Sequence, residues 1–74
     1  MTHLLKRVAL LAQAVAIDPD NIGTMSTGEA VAAALLNGRL DLLSSRFHHP
    51  LDALERLDEG WIAALLEAHR CGWR

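Results

Sequence analysis

Leucine and alanine, fourteen and twelve copies respectively, supply most of the apolar side chains of this 74-residue chain, and they recur at intervals of three and four. That recurrence narrows the fold more than any other feature. At about 100° per residue it lines apolar groups along one stripe of an α-helix. The residues that strands favour are few: three Val, three Ile, one Phe, two Trp and no Tyr. The expectation is an all-α protein, a small orthogonal or bundle-like domain of three to four short helices spanning about 3–17, 27–37, 50–57 and 59–70. Residues 1–74 form a single helical domain, with no internal repeat, low-complexity tract or second domain.

The first helix follows from Leu4, Leu5, Val8, Leu11, Ala12 and Val15, which share one stripe, with Thr2 placed to cap the first turn and Lys6, Arg7 and Gln13 opposite. Leu10, Ala14 and Ile17 form a second apolar line at i, i+4 and i+7 on the polar side. A short helix with two greasy faces is expected to give one to the core and the other to a second molecule. Pro19 ends the helix by pushing Asp18 out of the α region, and Gly23 allows a turn.

Ser26-Thr27-Gly28-Glu29 is a capping box, in which the Ser26 hydroxyl serves the Glu29 amide and the Glu29 carboxylate reaches back. The second helix starts there, directs Val31, Leu35 and Leu36 inward, and stops where Asn37-Gly38 supplies a left-handed closing position. Residues 39–43 read as a single helical turn that packs Leu40 and Leu43 beneath the core, before a break at Ser44-Ser45. In the last third Pro50 occupies a first helical position, and Leu51, Leu54, Leu57, Trp61, Ile62, Leu65 and Leu66 share a wide apolar arc with Asp58 in its middle. A bare carboxylate there would be costly to bury. Two helices resolve the conflict, with Asp58 capping the second and the chain bending near Gly60. Cys71-Gly72-Trp73 then makes a closing turn.

Seventy-four residues hold one core at most, worth about 3–5 kcal/mol unless a disulfide, a metal or a second chain contributes. The lone Cys71 excludes an internal disulfide and suits a reduced intracellular thiol. With 51% hydrophobic and 22% charged residues the chain is too apolar for disorder. Its formal net charge of −2 gives no general attraction to nucleic acid or anionic membrane. The opening segment has a basic flank, an apolar run and Ala-x-Ala steps like those of a signal peptide, but Gln13 interrupts the run and the amphipathic pattern explains the same residues. No other run approaches the roughly 20 apolar residues a bilayer span needs, so a cytoplasmic protein is expected. The Leu/Ala/Arg-rich style is that of a small bacterial or phage accessory protein from a GC-rich source.

Three constellations offer chemistry. Residues 18–29 resemble a calcium-binding EF-hand loop at Asp18, Asp20, Gly23 and Glu29, but Ile22 stands where a side-chain oxygen is needed, and a polar connector with a capping box explains the same residues. His48, His49, His69 and Cys71 have the side chains of a zinc site without its spacing, since neighbours on a strand or helix diverge and positions two apart lie on nearly opposite sides of a helix. A Cys71–His69 nucleophile would sit at a helix carboxyl end, where partial negative charge disfavours the thiolate. No Gly-rich phosphate loop, nucleophile elbow or HExxH is present. The chain reads as a non-enzyme with no cofactor and no metal. Arg39, Arg46, His48 and His49 could form a local basic patch, but the segment after Gly38 offers Leu where a DNA-reading helix needs polar groups, so nucleic acid is not the expected partner.

The aromatic residues carry the remaining signal. Trp61 lies within the apolar arc and belongs to the core. Phe47, between Arg46 and His48, and Trp73, beside Arg70 and Arg74, have two readings: exposed anchors of a binding surface, or lids on the core. The expected function is a regulatory protein-interaction module, an adaptor or inhibitor, docking through Leu10, Ala14, Ile17, Arg46, Phe47, Arg70 and Trp73 with Arg74 at the rim. A homodimer is expected through the second line of the first helix or through the Trp-bearing last helix.

Overall fold

The capping chemistry of the sequence sets four α-helices among the described residues. A computed structural model describes residues 3–43, 47 and 49–73, and places α1 at His3–Ile17, α2 at Thr27–Leu36, α3 at Pro50–Glu55 and α4 at Glu59–Cys71. There is no strand among the described residues. Thr2, Ser44, Ser45, Arg46, His48 and Arg74 lie outside them, and with them the first-turn cap, the serine break and part of the basic patch.

Each boundary has a local cause. Asp18 turns extended before Pro19, and its Oδ1 accepts from the Asp20 amide at 3.0 Å. The chain then continues as a 3-10 helix over Pro19–Thr24, where a plain connector was expected. Gly23 is not needed for its conformational freedom, because its φ is not positive. The capping box forms as expected: Glu29 N donates to Ser26 Oγ at 3.3 Å, and Ser26 N donates to Glu29 Oε1 at 3.0 Å. At the other end of α2, Gly38 takes φ +67°, its amide bonds to Leu35 O, and Arg39 N bonds to Ala34 O, both at 3.0 Å. Those two bonds make a Schellman closure.

The last third is two helices. Asp58 stays exposed and Oδ1 accepts from Trp61 N at 2.9 Å, so the carboxylate that would have interrupted an apolar arc instead caps α4. The break falls at residues 56–58, before Gly60, which lies inside α4. Of the seven apolar residues assigned to one arc, Leu57 and Leu65 are buried and Leu54, Trp61 and Ile62 pack partly against the core, but Leu51 and Leu66 face outward. The arc does not continue across the bend.

Side chains tie the helices together. Asn37 Nδ2 donates to Ala12 O at 3.1 Å and Ala33 O at 2.8 Å, fixing the end of α2 to the middle of α1, while Asn21 Nδ2 holds the 3-10 segment to Ala14 O at 2.9 Å. Arg7 pairs with Glu29, setting the start of α2 beside the first half of α1. The α4 helix runs in the same direction as α1: Gly60 lies next to Leu4, and Trp73 O accepts from Gln13 Nε2 at 2.5 Å.

The core is unusually fine-grained. Ala12, Ala32, Ala33, Ala34, Ala53, Ala64 and Ala68 are buried with Val8, Val15, Val31, Leu36, Leu57, Leu65 and Trp73, and the largest fully enclosed side chains are valines. Alanine lets the helices approach closely, and leucines close the edges. Leu43 packs against the core as expected, whereas Leu40, expected beneath the core beside it, is 51% exposed on the 3-10 turn Leu40–Leu42. That turn is too short to bring both faces inward.

Candidate functional site

The outward side of α1 is built by the mismatch between helical period and sequence. Val8, Ala12 and Val15 take the inward side completely, which leaves Leu10 at 55% and Ile17 at 84% exposure, with the half-buried Ala14 between them. Lys6, Arg7, Leu10, Leu11 and Ala14 line one shallow open recess. Arg7 is engaged by Glu29 beside it, whereas Lys6 is exposed and takes part in no ion pair among the described residues. The apolar line thus has cations at its amino end and Asp18 and Asp20, both exposed, at its carboxyl end. Sequence reading found the apolar line and passed over its charged ends, although Lys6, four residues before Leu10, was visible on the same helical projection.

The described residues among the seven expected to make one surface fall on different elements. Leu10, Ala14 and Ile17 are together on α1. Phe47 is half-buried and lines a separate cleft of about 210 Å³ with Ile22, Met25, Val31, Leu42 and Leu43. Arg70 is exposed on α4, one turn beyond the exposed Leu66. Arg46 lies outside the described residues. Trp73 is only 8% exposed and belongs to the core cluster, so of its two readings the structure places it as a lid. The reason is local: Gly72 takes φ +79° after α4, which folds the chain back and brings the Trp73 carbonyl to Gln13.

In the segment resembling a calcium loop, the Glu29 carboxylate is occupied by the Ser26 amide and Arg7, and Asp18 caps the 3-10 helix. Donation from the Ser26 backbone, then from Arg7, holds the Glu29 carboxyl below its ordinary range. His49 caps α3, its Nδ1 accepting from Leu51 N at 3.1 Å. Among the described residues no group of three His, Cys, Asp or Glu side chains converges as metal ligands would. Arg39 is clamped by Asp41 through Nε and Nη2 at 3.0 and 2.9 Å, which lowers the Asp41 carboxyl and partly neutralises the patch assigned to Arg39. Cys71 is exposed and free. No described helix is long and apolar enough to cross a membrane.

Among known proteins, no family profile, no curated sequence and no solved structure matches this chain.

Proposed function

We propose that this protein is a non-catalytic interaction module, an adaptor or regulatory inhibitor, that docks on another protein through the outward face of α1. The observation that carries the reading is the exposure of Leu10 and Ile17 on one line with Ala14. Burying one such side chain is worth about 1.5–3 kcal/mol, a large share of the roughly 3–5 kcal/mol available to a domain of this size. The fold makes no use of that gain, since the opposite side of the same helix already fills the core. An apolar line on an otherwise well-packed helix is the form that helix-face docking takes. The partner reads Leu10 and Ile17 as anchors and Ala14 as the point of closest approach, with Lys6 at the rim.

Affinity capture from source cells, with wild-type protein and a Leu10→Ser/Ile17→Ser variant as matched baits, tests this. Both baits should show the same helicity by circular dichroism, and proteins held by the wild type should be lost from the variant. Identical partners on both baits would place the working surface elsewhere.

A further inference from the structure

The amino end of α3 is closed by an imidazole. Pro50, at the first helical position, has no N–H, so the Leu51 amide is the first donor of the helix, and it donates to His49 Nδ1 at 3.1 Å. A ring nitrogen accepts only while it carries no proton, and histidine is the side chain that ordinarily changes charge between about pH 5 and 8. We propose that His49 makes α3 a pH-sensitive latch, closed while the imidazole is neutral and released when it is protonated. Protonation removes the acceptor that faces the Leu51 amide. It also sets a positive charge at the amino end of the helix, where the macrodipole is itself positive, so both effects act in the same direction. Because the capped form excludes a proton that the uncapped form accepts, lower pH favours the uncapped form.

The helix behind this cap is weakly held. It has six residues, too few to persist without support, and the next two bonds at its start, from the Asp52 and Ala53 amides, both go to His49 O at 3.0 and 3.3 Å. Its anchors are the buried Ala53, the partly buried Leu54 and, just past its end, the buried Leu57, whereas Leu51 is 60% exposed. The charged groups of α3 are Asp52 in its first turn and Glu55 at its last residue, with Arg56 at the carboxyl cap. The α2 helix, which packs against α3, has Glu29 as its single ionisable side chain. Ser26 and Arg7 hold that carboxylate at the end of α2 where Gly28 lies beside Leu57, past the opposite end of α3 from His49. Among the described residues His49 takes part in no ion pair. Release of α3 bares Leu57 and the side of α2 that it covers, so proton uptake is coupled to exposure of apolar surface distinct from the outward line of α1.

Amide hydrogen exchange of the whole chain, followed by NMR and expressed as protection factors at about pH 7.5 and about pH 5.5, tests the latch in a range where carboxylates stay ionised. Protection of the Ala53 amide in the wild type should fall about threefold to tenfold between the two. His49→Asn keeps a capping acceptor that does not titrate, and its Ala53 protection should be the same at both. His49→Ala has no acceptor and should show the reduced protection already at the higher pH. Wild-type protection that is equal at both pH values overturns the proposal. A His49→Asn chain that loses protection as the wild type does also overturns it, because another group would then be the one that titrates, and so does a His49→Ala chain protected like the wild type at the higher pH.

Discussion

The Glu29 carboxylate serves the Ser26 amide with one oxygen and the Arg7 guanidinium with the other, closing the amino end of α2 and tying it to α1. Its carboxyl is consequently held below the ordinary 4.5, first by the Ser26 backbone donor and next by Arg7. A carboxyl lowered on folding stabilises the fold above its unfolded pKa and loses that contribution as pH falls through the folded value. Glu29→Gln should therefore lower the melting temperature at neutral pH, and its thermal melt should converge with that of the wild type as the pH falls through the lowered folded value. Ser26→Ala should cost about 1 kcal/mol in chemical denaturation through loss of the cap. Asn37 offers a sharper test, because its amide donates to two carbonyls, Ala12 O and Ala33 O. Asn37→Asp sets a carboxylate against those oxygens and should destabilise the protein more than Asn37→Ala, which only removes the donors.

Glycine separates the roles of the connecting elements. Gly38 closes α2 at φ +67°, so Gly38→Ala should cost about 1 kcal/mol; at Gly23, where φ is not positive and an added Cβ meets nothing within 4 Å, Gly23→Ala should be neutral or stabilising by about 0.5 kcal/mol. Paired urea titrations check both. The four α-helices were legible because their signals are local: a stripe on α1, the Ser26–Glu29 box, the Asn37-Gly38 stop, and Asp58 lodged where an uninterrupted arc would have buried it. The Pro19–Thr24 3-10 helix was not, since i to i+3 bonding leaves no apolar period to detect. Asn21, Asn37 and Gln13 were equally hidden as ties, because each reaches a carbonyl that only tertiary packing brings near. At the candidate site the Leu10, Ala14, Ile17 line was visible from period alone. The fate of Trp73 depended on where Gly72 turned the chain, which no spacing states.

At the scale of the molecule, the core of the described residues, seven alanines and three valines with three leucines and Trp73, leaves little reserve. Leu65, a buried leucine on α4, anchors that helix to the rest, and Leu65→Ala should cost about 2–5 kcal/mol, comparable with the entire stability of a domain this small; loss of the cooperative thermal transition would be the readout. Leu10 and Ile17 on α1 should behave oppositely, since polar replacements there remove nothing from the core. That contrast separates side chains that hold the fold from side chains held out by it. The most direct test of the account is photo-cross-linking in source cells from a reactive residue placed at Ile17, with one at the exposed Glu55 as the reference. Discrete protein adducts are expected from position 17 and none above background from position 55. Adducts of equal yield from both positions, or from neither, would contradict it.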